Sequence, residues 1–139
     1  MFEACGKTEL LDVALFSNPA RLYAWIAWTG DRALGYATAS REFSTWAARE
    51  YLHLDCLFLR ASVRGYGVGA ALLHTAVAAA VGLGMEAMEW QTPDWNEAAI
   101  KFYRRLGAQE KAKMRFSLAL EKNQESLRGS SPITLGVPT

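Results

Sequence analysis

Apolar positions along this chain fall into blocks whose spacing switches between the period of a helix and that of a strand. Thr8 to Phe16 sets Leu10, Leu11, Ala14 and Leu15 on one side, with Thr8 as cap and Asn18-Pro19 as stop, which predicts a short helix. Leu22 to Trp28 reads as a strand, Thr29 to Arg32 as a turn, and Ala33 to Ser40 as a strand pairing back in a hairpin. A polar stretch to Glu50 separates this hairpin from a third strand, Tyr51 to Leu59. Val68 to Val81 then carries Leu72, Leu73, Ala76, Val77 and Ala80 at helical spacing and ends at Gly82 and Gly84. Met85 to Thr92, bounded by Gly84 and Pro93, predicts another strand. Asn96 caps a second long helix whose Ala99, Phe102, Tyr103 and Leu106 form one stripe before Gly107, and Met114 to Leu120 supplies a last strand.

The order α, β, β, β, α, β, α, β defines an α/β domain. An antiparallel meander feeds a right-handed β-α-β crossover, which makes a mixed central sheet with helices on both faces. The expected domain spans residues 1–120. Beyond Glu121 the composition turns polar, with Gly129, Ser130, Ser131 and Pro132 in succession, so 121–139 is expected to be a flexible tail apart from a short strand at Ile133 to Val137.

Composition narrows the function. A chain of 139 residues is large enough for one core without disulfides or metal. Its 15 Lys and Arg nearly balance 14 Asp and Glu, leaving a charge of +1 and no basic stripe, so nucleic acid is not an expected partner. Cys5 and Cys56 are the only cysteines and show neither CxxC nor Cys/His spacing, which argues against a disulfide framework or a metal site and for a reducing cytoplasm. No apolar run approaches the ~20 residues of a membrane span, and Met1 to Lys7 lacks the basic-then-apolar pattern of a leader. The expectation is a cytoplasmic protein with no membrane partner.

The chemistry centres on Arg64, Gly65, Tyr66, Gly67, Val68, Gly69 and Ala70, which follow the Tyr51–Leu59 strand and open the alanine-rich helix. Alternating glycines let the backbone turn tightly and aim several N–H groups at one spot, where the positive end of the helix dipole favours an anion. Arg64 adds a planar, permanently charged fork. This is the pattern of a phosphate cradle; the plainer alternative is a glycine turn that only joins two elements.

In order and spacing, these segments resemble the GCN5-related N-acetyltransferase superfamily. Its pyrophosphate loop, Arg/Gln-x-x-Gly-x-Gly/Ala, is met by Arg64, Gly67 and Gly69. The Gly82-x-Gly84 break and the run from Trp95-Asn96 through Phe102-Tyr103 to Gly107-Ala108 also match. The nearest look is to the diamine and polyamine acetyltransferase group, which shares the Trp-Asn pair, the Phe-Tyr pair and the Gly-Ala ending. The resemblance covers residues 33–120 and departs at the front, where one strand and one helix of the family pattern are missing ahead of Leu22.

The resemblance implies acetyl transfer from acetyl-CoA, without metal, to a primary amine of a small molecule or peptide by direct attack on the thioester. It places the pyrophosphate on the loop from Arg64 to Ala70. The backbone of Leu57, Phe58 and Leu59 would lie on the pantetheine amides, with Asn96, Ala99 and Tyr103 also at the coenzyme. Such transfer needs a neutral amine and an acid for the departing thiolate. Asp55, the one acid in the apolar 51–59 strand, is the candidate base. By the two-residue period it shares a face with His53 and Leu57, and burial is expected to raise its pKa. The alternative for Asp55 is a buried carboxylate satisfied by backbone donors, and for His53 a structural role. Tyr103 is the candidate acid, because a phenol (reference pKa ~10) still carries its proton at neutral pH when the thiolate (thiol reference ~8.5) departs; otherwise it is a core aromatic. For the acceptor, Thr45, Asp55, Glu89, Trp90 and Gln91 are the candidates, charge and indole faces suiting a cationic amine. Relatives commonly pair, and missing front elements leave apolar surface uncovered, so a homodimer is expected.

Two other functions compete. Gly65-x-Gly67-x-x-Ala70 with Glu89 fits a dinucleotide fingerprint, but Arg60 to Arg64 intervene between strand and first glycine, and antiparallel strands come first. A non-catalytic module that holds acetyl-CoA or a partner is the second, motivated by the short front.

Overall fold

The computed structural model describes residues 7–120. In chain order the elements are α1 (Lys7–Phe16), β1 (Tyr23–Thr29), β2 (Arg32–Ser44), β3 (Arg49–Leu59), a single 3-10 turn (Ala61–Val63), α2 (Val68–Gly82), β4 (Met88–Glu89) and α3 (Glu97–Arg105). The sheet runs β1-β2-β3-β4; the first two pairings are antiparallel and β3–β4 is parallel. The α/β class and the mixed sheet are as the hydrophobic pattern predicts. These elements belong to a unit ending at Gly107; the chain from Ala108 forms a second.

The core lies between the sheet and α2. Ala37 and Ala39 of β2 and Leu52 and Leu54 of β3 are buried against Leu72, Leu73, Ala76 and Ala80. Small residues on β2 let the helix approach closely, and leucines from both sides fill the space. Tyr23, Trp25 and Ala27 of β1 pack at the margin of this core, so alternate residues of β1 also face α2.

Several boundaries move. The β2–β3 hairpin is longer than the pattern predicts: Arg41 to Ser44 pair with Arg49 to Leu52, and only Thr45 to Ala48 turn. The stretch is polar because both faces of this ribbon are largely exposed, and cross-strand pairs such as Arg41–Glu50 at 2.5 Å suit it to strand. The strand expected over Met85 to Thr92 contracts to two residues, since Met85 is held at the end of α2 by its N–H donating to the Ala80 carbonyl, at 3.0 Å. Thr8 sits inside α1 rather than capping it, and Leu10 and Leu11 are exposed, leaving only Ala14 and Leu15 of the expected stripe partly covered.

In the second unit, Met114 to Leu120 is not a β-strand, contrary to expectation, and Met114, Phe116, Leu118 and Leu120 are exposed. An alternating segment becomes a strand only where another edge takes its hydrogen bonds. The expected strand at Ile133 to Val137 and the tail lie outside the described residues.

Candidate functional site

Two features of the backbone build the site. The first is the loop between β3 and α2. Gly65 and Gly67 both take left-handed conformations, at φ +85° and +80°, and Gly67 is the N-cap of α2. A side chain at either would be strained whatever the space around it. Gly69 serves differently: a Cβ there would lie 3.2 Å from Leu59 Cδ1 and 3.4 Å from Phe102 Cζ, so glycine lets α2 sit close to β3 and α3. The loop is thereby turned so that first-turn N–H groups of α2, which have no acceptor within the helix, are left for a ligand. Arg64 and Tyr66 at its rim are exposed.

The second feature is a bulge. Leu54 opposes Ala39 and Cys56 opposes Thr38, so Asp55 is an extra residue with no partner on β2. This corrects the face expected from strict alternation. The bulge turns His53, opposite Ser40, away from the core while Leu57 and Leu59 pack on the α2 side. Asp55 is exposed, not buried as expected.

Beyond the bulge β3 has one neighbour only among the described residues. β4 pairs with it at Leu52 and His53 and nowhere further, so the edge from Asp55 to Leu59 faces a gap between the parting strands. Extended backbone with an open edge can accept and donate hydrogen bonds to amides of a linear ligand.

α3 brings Tyr103 to this region. Asn96 caps the helix, its side-chain oxygen accepting from the Ala99 N–H at 3.3 Å, and Arg104 and Arg105 in the last turn suit the negative end of the dipole. Tyr103 is half-buried among the core residues. Its ring lies 5.2 Å from Trp90 in an edge-on contact and 5.3 Å from Phe102. Burial pushes its phenol above the ordinary tyrosine value, and Cys56 nearby adds to the rise. The phenol therefore holds its proton at neutral pH and is equipped to donate it.

On the sheet face away from α2, the Tyr51 phenol is also pushed up, first by partial burial and then by the charges of Glu89 and Glu42. Glu89 lies opposite His53 in register. The structure thus sets Glu89 opposite His53, leaves Asp55 exposed on the bulge, places Trp90 against Tyr103, and leaves Gln91 exposed after β4. Thr45 is not brought there. It lies in the turn at the far end of the hairpin, six residues of β3 or ~20 Å from Asp55.

Sequence reasoning missed the pair Cys56 and Tyr36, whose Sγ and Oη are 3.8 Å apart beside the Tyr36–Phe58 ring contact at 5.5 Å. The thiol bond and burial push the Tyr36 phenol up. The bulge does leave a trace in sequence: Leu52 and Leu54, then Leu57 and Leu59, are two alternating pairs offset by one extra residue.

The site thus combines a glycine-turned helix start, a strand edge unpaired among the described residues and a half-buried tyrosine. Residues 2–108 match the family model of the Acetyltransferase (GNAT) family, and the chain belongs to that family. Over 75 residues it is 33% identical to the L-ornithine N5-acetyltransferase NATA1 of Arabidopsis thaliana, covering 54% of this chain and 33% of that protein. Over 81 residues it is 28% identical to the thialysine N-epsilon-acetyltransferase of Bos taurus, covering 58% and 47%. The chain thus spans a third to about half the length of these curated relatives. Among solved structures, AAC(6')-Iy with a CoA-linked bisubstrate analogue matches with a TM-score of 0.70 at 22% identity over 82% of this chain and 80% of that one. The same protein has been solved with CoA. No helix among the described residues is long and apolar enough to cross a membrane.

Proposed function

We propose that this protein is an acetyl-CoA-dependent N-acetyltransferase acting on a primary amine of a small molecule or peptide, as a homodimer in the cytoplasm. The observation that carries this reading is the pair of left-handed glycines at the start of α2, placed after a strand whose outer edge is open beyond its bulge. The N–H groups from Gly65 to Ala70 would hold the pyrophosphate, with Arg64 beside it. The backbone of Leu57, Phe58 and Leu59 would take the pantetheine amides, with Asn96 and Ala99 across the gap. Bound acetyl-CoA supplies an activated acetyl group.

The chain's own residues then divide the proton work. Asp55, exposed on the bulge, takes a proton from the incoming ammonium, directly or through a water. Tyr103, which keeps its proton at neutral pH, gives it to the thiolate as the carbon–sulfur bond breaks. Glu89 and Glu42 supply a negative field that favours an acceptor carrying a second positive charge, and relatives named for ornithine and thialysine act on such molecules.

Gly67→Val tests the loop. A β-branched residue at φ +80° cannot keep the turn, so calorimetric affinity for acetyl-CoA should fall at least ~10-fold. Unchanged affinity would overturn the loop assignment. Turnover over a panel of ornithine, thialysine, diamines and an aminoglycoside tests the reaction; tight coenzyme binding with no turnover on any of them favours the non-catalytic module.

A further inference from the structure

An ammonium gives up two protons on the way to an amide, one before its nitrogen attacks and one after the carbon–nitrogen bond has formed. In the reaction proposed above Asp55 takes the first, and the second needs an acceptor of its own. The strands set a candidate beside Asp55. Leu54 and Leu57 both pack on the α2 side, so Asp55 and Cys56 between them turn to the other face. His53 precedes Leu54 and lies on that face too, partly exposed, two residues or ~6–7 Å from Asp55 along the strand. Across the parallel pairing it meets Glu89 at the ~4.8 Å spacing of neighbouring strands. Met88, opposite Leu52, packs on the core beneath α2, so Glu89 shares the face of His53.

Its place on the sheet adds to this. Among the described residues β4 pairs with β3 as far as His53 and then parts from it, so His53 stands at the apex of the gap proposed for the pantetheine. Leu52, Leu54 and α2 close the other side of that apex. An amine therefore approaches on the face that carries His53, Asp55 and Glu89. The further ionisable groups on this face are Tyr36 and Glu42 of β2 and Arg49, Tyr51 and Cys56 of β3; Arg49 is paired with Glu86, and Cys56 with the Tyr36 hydroxyl. We propose that His53 is a second base, which takes the proton left on nitrogen once the carbon–nitrogen bond has formed, with Glu89 orienting its ring. This rests on the acetyl-transfer reading above. An imidazole suits the task because it takes and releases protons in the neutral range, and a carboxylate on one ring nitrogen fixes which nitrogen is free. The protons balance: nitrogen loses two, to Asp55 and His53, sulfur leaves with the one from Tyr103, and through solvent one of the two restores Tyr103 while the other is released to water.

The test is chemical rescue, with the best acceptor of the amine panel at saturation. His53→Ala should lower kcat ~10²-fold and leave calorimetric affinity for acetyl-CoA unchanged. Free imidazole in the assay should restore part of that loss in proportion to its concentration, and should not stimulate the wild type. His53→Gln fills the space and keeps hydrogen-bonding groups but cannot take a proton, so its kcat should stay low and imidazole should not help. Circular dichroism checks that each variant folds. Glu89→Ala should lower kcat several-fold at saturating acceptor, and Glu89→Gln, whose amide oxygen still accepts from the ring, should recover part of it. A wild type that turns over none of the amines would remove the acetyl-transfer reading and this proposal with it. An active wild type with near-normal kcat in His53→Gln would leave that reading standing and overturn the second base. Loss of activity in His53→Ala that imidazole does not restore would mark His53 as structural, which overturns it as well.

Discussion

The two halves of β3 are continuous in sequence and opposite in use. From Arg49 to Leu54 the strand is part of the fold: Leu52 pairs with both β2 and β4, and Leu52 and Leu54 are buried beneath α2. From Asp55 to Leu59 it pairs with β2 alone among the described residues, and its leading residue is an exposed acid. One extra residue separates these regimes. The bulge keeps Leu57 and Leu59 on the core side while turning a carboxylate out at the point where the strands part. The lesson is that a site can be made in the middle of a stabilising strand by withdrawing one neighbour, without weakening the packing of the rest.

If this division is correct, damage to the first half should cost stability and spare ligand binding. Leu52 is the largest fully buried side chain, with 0% exposure. Leu52→Ala removes its packing and leaves a cavity, so unfolding should become easier by ~2–5 kcal/mol, read from the urea midpoint. Coenzyme affinity of the protein that remains folded should be unchanged within about twofold. A parallel loss of affinity would show that the two halves are coupled and break the comparison.

Damage at the open half should do the reverse. Tyr103→Phe keeps the ring against Trp90 and Phe102 and removes only the hydroxyl. kcat should fall ~10²-fold, equivalent to ~2.7 kcal/mol, with little change in stability or in acetyl-CoA affinity. The pH dependence sharpens this. Burial raises the phenol's pKa, so the acid form persists through and beyond the ordinary value of about 10. The alkaline fall in kcat should therefore begin above pH ~10 in the wild type and be absent in Tyr103→Phe. Near-wild-type turnover of the variant would leave Tyr103 as a packing residue.

Much of this was legible in the sequence, and for identifiable reasons. α2 and α3 were readable because their apolar stripes have helical spacing and their ends carry glycine and asparagine, residues whose effects are local. Gly65 and Gly67 were readable because a left-handed turn needs them. The bulge was not, because Tyr51 to Leu59 satisfies simple alternation if Cys56 and Phe58 are counted as core. Only pairing with β2 decides which residue is skipped. Asp55 is therefore turned out on the bulge instead of sharing a buried face, and Thr45 is near it in sequence but on a hairpin that carries it far away. Met114 to Leu120 has the alternation of a strand and lacks a partner edge in the described unit, a condition no local pattern contains.

Asn96 gives the smallest effect and tests whether α3 merely presents Tyr103 or also touches the ligand. Its side-chain oxygen accepts from the Ala99 N–H, so Asn96→Ala should destabilise by ~1 kcal/mol through loss of the cap. Asn96→Asp keeps an oxygen at that position and should restore the stability, since aspartate caps as well as asparagine does. It does not restore the amide N–H donors that would meet the pantetheine arm. If those donors contribute a hydrogen bond worth ~0.5–1.5 kcal/mol, acetyl-CoA affinity should fall ~2- to 10-fold in both variants, whatever their stability. A stable Asn96→Asp with wild-type affinity would confine Asn96 to capping and place recognition of the arm on the open edge of β3 alone.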